Sequence, residues 1–329
     1  MERAALLAEA EALGARHGAV GRAVVLSCRM APASTRVVLR FGDRVLKWDK
    51  TGRSLAAFEA DVAAHRAAFE ALGAPRVPRL FSVDTESRSV LMQYAPGVSV
   101  QDLLLEAELG IVDARDVMRR AGRWIRAYHG ATAAPARPIH PGTMLRWAED
   151  MTQQVEARTR DVPRRDLFLE TARLIPELGG LAAGQQTPAA ACHGDLHLKN
   201  LLIGEAVTGI DFRPLKTLPT AHDLATFLAN FAVWFDDKDG AAEAAFWQGY
   251  GSRALHDAAL SYIRPITLLS IWFGLPKDKA ARRESDARRL KGVLREARKL
   301  LGEHSFRRVG DDAALREVDG RHGVEGEGQ

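Results

Sequence analysis

The most informative stretch of the chain reads Cys192-His193-Gly194-Asp195-Leu196-His197-Leu198-Lys199-Asn200, and Thr208-Gly209-Ile210-Asp211-Phe212 follows soon after it. Asp195 and Asn200 stand close together in what reads as an irregular loop, so the loop can aim both side chains at one pocket. Residues 201–203 and 207–210 can form a hairpin, which would return Asp211 to the side of Asn200. The stretch therefore predicts three polar side chains that converge.

These three side chains suit one kind of chemistry. Carboxylate and amide oxygens are the ligands that Mg²⁺ prefers. Phosphoryl transfer from ATP needs such a metal site, a carboxylate that orients the attacking hydroxyl and accepts its proton, and positive charge that offsets the phosphates. The hairpin geometry makes Asn200 and Asp211 a candidate metal pair and leaves Asp195 to face a substrate.

The same residues resemble a known signature. His193-Gly194-Asp195-x-His197-x-x-Asn200, followed by Ile210-Asp211-Phe212, is similar to the motifs of the aminoglycoside phosphotransferase and choline kinase superfamily, relatives of the protein kinases. The resemblance implies that Asp195 is the catalytic base and that Asn200 and Asp211 hold Mg²⁺. It gives His193 a structural place in the loop. His197 falls where protein kinases carry a lysine, so it would touch the transferring phosphate.

The first third of the chain alternates apolar and polar residues as strands do. Strands are predicted at residues 23–26, 37–41 and 44–48, with Gly42-Asp43 as a hairpin turn. Ser54 can cap a helix that runs to about Leu72, and two further strands follow at residues 79–83 and 89–94. Because the links between strands are too short for crossovers, the sheet must be mostly antiparallel.

The resemblance extends to the nucleotide side of the site. Lys47 lies on the third predicted strand, where the family keeps the lysine that pairs with the α- and β-phosphates, and it shares a strand face with Val45. Glu59 on the following helix is its expected partner, with Asp61 as a competitor. The backbones of Gln93 and Ala95 would bind adenine at the hinge.

The phosphate loop departs from the protein-kinase pattern. Residues 27–35 join the first two strands and contain no G-x-G-x-x-G. Ser34 or backbone N–H groups are therefore expected to cradle the phosphates.

The rest of the chain reads as mainly helical. Helical periodicity appears at residues 112–131, 144–157, 166–178, 221–235, 241–250 and 278–301. The resulting prediction is an α+β, protein-kinase-like two-lobed fold, in which a small antiparallel sheet and one helix precede a larger helical lobe. Residues 1–95 would form the nucleotide-binding lobe with a hinge at 93–97, residues 96–302 the catalytic and substrate lobe, and residues 303–329 a polar, flexible tail.

Composition sets further limits. The chain has 329 residues, a net charge of +4 and two cysteines, which predicts a cytoplasmic protein with reduced thiols. Its basic residues are interspersed with acidic ones, so nucleic-acid binding is not expected. The first residues read as an amphipathic helix, and the longest apolar run, near 266–275, is too short to span a bilayer.

Two other functions remain open on sequence grounds. A catalytically inactive kinase-fold binding protein would lack the base, a metal ligand or the lysine, and all are present. A metal-dependent hydrolase could use His193, Asp195 and His197 as ligands, but no second histidine–acid motif completes such a site.

The phosphate acceptor is expected to be a hydroxylated small molecule. The acidic run at residues 236–239 would suit a cationic aminoglycoside. Arg213 and Lys216, near the metal hairpin, point instead to a neutral or acidic acceptor. A sugar or other metabolite is therefore favoured, and an aminoglycoside-type antibiotic comes next.

Overall fold

The computed structural model describes residues 2–31, 33–52, 54–214 and 216–321, with the side chains of 304–321 excepted. The chain forms two compact units. One comprises the chain up to Pro138 with Gln186–Phe227 and Asp237–Asp257, and the other comprises Ile139–Gln185, Leu228–Asp236 and the chain from Ala258 onward. All candidate site residues lie in the first unit. The predicted lobe boundaries at 95 and 302 stay predictions.

A five-stranded antiparallel sheet begins the first unit, as the sequence predicts. Its strands are β1 (Ala23–Ala31), β2 (Ser34–Phe41), β3 (Arg44–Thr51), β4 (Leu80–Asp84) and β5 (Ser89–Gln93). Their order is β1-β2-β3-β5-β4. Helix α1 (Arg3–Arg16) precedes the sheet, and α2 (Leu55–Leu72) lies between β3 and β4. Ser54 caps α2 by accepting the Ala57 N–H at 3.2 Å.

The two faces of this sheet have different partners. Side chains of β2 and β3 alternate, so one set, including Leu39 and Leu46, is buried against Leu6 and Leu13 of α1. Lys47 follows Leu46 directly in β3, so its side chain points to the opposite face of the sheet. Phe58 and Val62 of α2 pack with Val90 in a second apolar cluster. Lys47 therefore projects from the face that α2 covers in part.

The remainder of the first unit surrounds the loop that carries Asp195. Its helices are α3 (Val100–Glu108), α4 (Ala114–Ala131) and α9 (Ala241–Tyr250). Two three-stranded antiparallel sheets comprise β6 (Val98–Ser99), β9 (Leu201–Ile203) and β10 (Val207–Gly209), and β7 (Ala133–Pro138), β8 (Gln186–Ala191) and β11 (Thr217–Pro219). Helices α4 and α9 approach closely because Gly122 and Gly249 lie between them. A Cβ at Gly249 would come within 2.1 Å of the Arg119 carbonyl oxygen.

The second unit is helical in its described part. It contains α5 (Gly142–Glu156), α6 (Arg165–Ala172) and α7 (Ile175–Ala182), followed later by α11 (Glu284–Arg321). Helices α8 (Ala221–Trp234) and α10 (Asp257–Phe273) have residues in both units. No helix in the part of the chain that the structure describes is both long and apolar enough to cross a membrane.

Some predicted helices differ in detail from those observed. The single helix predicted over 166–178 is observed as two helices, α6 and α7. Pro176 lacks an N–H, and in a continuous helix its ring would clash with the carbonyl of Ala172, so a new helix begins there. Helix α11 begins at Glu284 and continues past Leu301 to Arg321. Residues 322–329 of the predicted tail lie outside the described residues.

Candidate active site

The loop that carries Asp195 is held by one buried carboxylate. Asp223, in the first turn of α8, accepts the N–H of His193 at 2.7 Å and that of Gly194 at 3.1 Å. Its Oδ2 also lies 3.1 Å from Nε2 of His129 on α4. Burial opposes its charge, but the hydrogen bond with His129 and the loop N–H groups more than compensate and lower the pKa of Asp223. Asp223 therefore remains a carboxylate and fixes the backbone just before Asp195.

His193 is a structural member of the loop. It is fully buried, its Nε2 lies 2.9 Å from the Ile210 carbonyl oxygen, and its Nδ1 lies 3.4 Å from the Asp195 N. Its ring centroid is 4.4 Å from that of Phe212. Burial lowers the pKa of His193, so the ring is neutral. Because both ring nitrogens contact backbone, a metal site that uses His193 has no free nitrogen to accept the ion.

The predicted metal hairpin is present. Strands β9 and β10 pair antiparallel from Leu201–Gly209 to Ile203–Val207. The Ile210 N–H donates to the Asn200 carbonyl oxygen at 3.0 Å, which brings Asp211 beside Asn200. The side-chain Nδ2 of Asn200 donates to the Asp195 carbonyl oxygen at 2.7 Å. The loop and the hairpin are thus one hydrogen-bonded structure.

Asp211 has an unusual backbone conformation and a cationic partner. Its φ is 63°, a left-handed value that aspartate tolerates better than most residues. Its Oδ1 forms an ion pair with Nζ of Lys47 from β3. Burial opposes ionisation, but the nearby Lys47 ammonium outweighs it and lowers the pKa of Asp211 to about 2. The carboxylate is therefore ionised at neutral pH.

Asn200 and Asp211 offer a donor set that fits Mg²⁺. The Asn200 side chain is buried, and its Nδ2 is used by the loop, while its Oδ1 makes no hydrogen bond to any described residue. An amide oxygen and an ionised carboxylate on one hairpin are the hard oxygen ligands that Mg²⁺ favours. These two residues would hold the ion.

Asp195 has two basic neighbours. Nη2 of Arg213 lies 3.2 Å and Nε 3.3 Å from its Oδ2. Nε2 of His197 lies 4.0 Å from its Oδ1. Because Nδ1 of His197 accepts the Lys199 N–H at 3.2 Å, the ring proton is assigned to Nε2, which faces Asp195. His197 is therefore placed as a neighbour of the candidate base.

A cavity extends from Asp211 and Arg213 to the sheet. Its polar lining is Arg36, Lys47, Asp49, Asp61, Asp211 and Arg213. The rest of its lining is His65 with the apolar residues Phe58, Val62, Leu80, Val90, Met92 and Phe212. The cationic and carboxylate side chains therefore share one concave site within the first unit.

The structure does not bring Glu59 to Lys47. Glu59 lies on the exposed side of α2, whereas Asp61, two residues later on the helix, lines the cavity with Lys47. A helix turns about 100° per residue, so these two side chains cannot share a face. Lys47 is instead paired with Asp211, and Asp61 lies 3.5 Å from Nη1 of Arg213, so the expected Glu59–Lys47 pair is not formed.

The hinge and phosphate-loop residues take the places that the sequence predicts for them. Gln93 ends β5, and its N–H donates to the Arg79 carbonyl oxygen at 2.8 Å. Among the described residues, none accepts a hydrogen bond from the Ala95 N–H. Ser34 begins β2, opposite Ala31 at the turn of the hairpin. Their binding roles stay predictions.

Three contacts escaped the sequence reasoning. These are the Arg36–Asp49 pair, the Arg213–Asp195 pair and the 3.5 Å approach of Arg213 Nη1 to Asp61 Oδ2. Strand alternation alone puts Asp49 on the same face as Lys47, so that signal was available. The other contacts depend on how α2 and the loop after Phe212 are packed, and no local pattern encodes that.

Comparison with known proteins agrees with this geometry. The model of the phosphotransferase enzyme family matches residues 31–262. A choline/ethanolamine kinase family protein from Mesorhizobium loti is 18% identical, with a TM-score of 0.60 over 89% of this chain and 92% of that one. Glucosamine kinase in complex with glucosamine, ADP and inorganic phosphate is 19% identical, with a TM-score of 0.63 over 91% and 87%. Spectinomycin phosphotransferase in complex with ADP and spectinomycin is 15% identical, with a TM-score of 0.54 over 87% and 92%.

No curated protein matches the sequence. At these identities the solved structures establish the fold, which is that of the protein-kinase-like small-molecule kinases. The family match carries further because it spans most of the chain, from the end of β1 into α10, and contains every candidate site residue. The chain therefore belongs to the phosphotransferase enzyme family and is a small-molecule kinase.

Proposed function

We propose that the protein transfers the γ-phosphate of ATP, with Mg²⁺, to a hydroxyl of a neutral or acidic small molecule. A sugar or other metabolite is favoured, and an aminoglycoside-type antibiotic comes next. The observation that carries the proposal is the hydrogen-bonded unit of Asp195, Asn200 and Asp211, with Lys47 paired to Asp211. Lys47 and Asp211 line one cavity, and hydrogen bonds of the loop and the hairpin join Asp195 and Asn200 to the segment that carries Asp211.

Each side chain has a part in the transfer. Asp195 orients the acceptor hydroxyl and takes its proton as the oxygen bonds to the γ-phosphorus and the bond to the ADP oxygen breaks. Lys47 binds the phosphates of the nucleotide. Mg²⁺, when held by Asn200 and Asp211, supplies positive charge to the phosphate oxygens. His197 stands beside Asp195, where its Nε2–H can donate to a phosphoryl oxygen.

The charge around Asp195 argues for the acceptor class. Arg213 places a guanidinium on the carboxylate that must meet the acceptor, and a polycation would be repelled by it. The acidic run at 236–239 is already engaged in part. Asp237 accepts the N–H of Glu243 at 2.8 Å and Asp239 accepts that of Ala241 at 3.1 Å, so both cap α9.

Related structures support nucleotide use and a hydroxylated acceptor. Glucosamine kinase is known in complex with glucosamine and ADP, and spectinomycin phosphotransferase with ADP and spectinomycin. The two cysteines of this chain are free, which suits the reducing cytoplasm, where ATP is abundant.

A thermal-shift screen tests the proposal. Mg-ATP at about 100 times its dissociation constant should add roughly 2.7 kcal/mol of stability, and an acceptor should add to it. The acceptors found in the screen would then be incubated with the protein and Mg-ATP, and the phosphorylated product and ADP would be quantified. We expect them to form in equal amounts. A Mg-ATP shift without transfer to any acceptor would favour a catalytically inactive nucleotide-binding protein, and no shift would contradict ATP use.

A further inference from the structure

Two cations project from the same face of the N-terminal sheet. Lys47 pairs in register with Val38, and Arg36 pairs with Asp49, across strands β2 and β3. The alternating residues Val37 and Trp48 are buried on the opposite face, in the cluster with α1. Arg36 and Lys47 therefore point to one side and line the same cavity.

Asp49 holds the Arg36 guanidinium in place. Nε of Arg36 donates to Oδ1 of Asp49 at 2.5 Å. Asp49 is buried, whereas the Arg36 side chain is partly exposed. Within the described residues, this is the one side-chain hydrogen bond that Arg36 makes. The terminal nitrogens keep their donors, and a guanidinium presents those donors as a planar fork that matches phosphate oxygens.

The position of Arg36 in the chain adds to the argument. The connection between β1 and β2 has no glycine-rich motif to wrap its backbone around phosphates, and Arg36 lies just after that connection. The positive charge of Lys47 is partly neutralised by the carboxylate of Asp211. A second cation on the sheet side would add to the positive charge that a nucleoside triphosphate meets in the cavity.

Building on the proposed function, we propose that Arg36 is a phosphate-binding residue that contacts the phosphate chain of the bound nucleotide. Asp49 acts as its positioning residue. The sheet thus supplies by a side chain what a glycine-rich loop supplies by backbone N–H groups.

The test compares nucleotides that differ only in their phosphates. Dissociation constants for Mg-ADP and for adenosine are measured by calorimetry with the wild type, R36Q and R36K. R36Q should weaken Mg-ADP roughly ten- to a hundredfold, the usual cost of a hydrogen bond to a charged group, and leave adenosine within about twofold. R36K keeps the charge without the fork and should fall between the wild type and R36Q.

R40Q is the matched control. Arg40 lies on the same face of β2 but its guanidinium stacks 3.9 Å from the Tyr94 ring centroid, so its ratio of Mg-ADP to adenosine affinity should equal that of the wild type. Because R36Q leaves Asp49 buried without its partner, R36Q/D49N is measured as well, and adenosine binding reports that each variant is folded.

Two results would overturn the assignment. Unchanged Mg-ADP affinity in both R36Q and R36Q/D49N would remove Arg36 from the phosphate site. Equal losses for Mg-ADP and adenosine would make the Arg36–Asp49 pair a strand contact only. A wild type that binds no nucleotide would instead contradict the proposed function itself.

Discussion

Arg213 and Asp195 form an ion pair at the centre of the site, with Nη2 of the arginine 3.2 Å from Oδ2 of the aspartate. The backbone of Arg213 is held in place, because its N–H donates to the His193 carbonyl oxygen at 3.0 Å. Its stem also packs where a Cβ at Gly194 would meet it at 2.8 Å. An acceptor hydroxyl that binds Asp195 therefore also lies near the Arg213 guanidinium. A carboxylate on the acceptor could form an ion pair with this guanidinium.

Replacing Arg213 tests this relation. R213Q should lower kcat/KM for an acidic acceptor roughly ten- to a hundredfold relative to its neutral counterpart, the cost of one charged hydrogen bond. Steady-state phosphorylation is measured for the wild type and R213Q with three probes. Gluconate is the acidic probe, glucose the neutral probe and glucosamine the probe with an amino group. R66Q removes an exposed cation of α2 that does not line the cavity, and it is the control. Equal losses for acidic and neutral probes would show that Arg213 does not select the acceptor.

Asn200 should determine the metal requirement. N200A removes one of two protein ligands, so the Mg²⁺ concentration for half-maximal activity should rise on the order of tenfold or more. The titration is done at saturating ATP, and the melting temperature is followed because the Nδ2 contact with the Asp195 carbonyl is also lost. An unchanged Mg²⁺ requirement in a folded, active N200A protein would exclude this ligand.

The N-terminal fold and the central site could be predicted for a shared reason. Strand alternation, the Ser54 cap and the β9–β10 hairpin are local patterns that neighbouring residues encode, whereas the pairing of β3 with β5 joins distant parts of the chain. The motif spacing then fixed the positions of Asp195 and Asp211. Glu59 was wrongly expected to face Lys47, because its place on α2 depends on how the helix is rotated against the sheet. That rotation is set by the packing of Phe58 on Val90.

Helix α10 was missed for a related reason. It carries Pro265 in its interior, a residue that normally ends a helix, although Ser261, Arg264, Thr267 and Ser270 recur at helical spacing on its less buried side. The contacts of Arg213 were likewise hidden, because they join the chain after Phe212 to α2 and to the catalytic loop. Tertiary packing alone decides such contacts.

Acid should destabilise the protein through its buried histidines. Burial lowers the pKa in five of them, namely His17, His65, His193, His222 and His256. For His256 the pKa falls from 6.5 to about 4. Between these values the unfolded chain binds more protons than the folded one, so stability is full above pH 6.5 and is lost as pH falls toward about 4.

Melting temperatures between pH 7.5 and 4.5 check this. H256Q should show a shallower fall than the wild type, whereas H140Q should follow the wild type because His140 is exposed. A wild-type melting temperature that stays level over this range would contradict the neutral, buried state of these histidines.

We expect Asp195 to accept the proton of the acceptor hydroxyl, and the turnover of the D195N variant checks this. Asparagine keeps the size of the side chain but cannot act as a base. With the acceptor identified by the screen, kcat should fall roughly 10²- to 10⁴-fold. The dissociation constant for Mg-ADP should stay within about twofold of the wild-type value, because Lys47, Asn200 and Asp211 remain. Turnover by D195N at the wild-type rate would contradict the account.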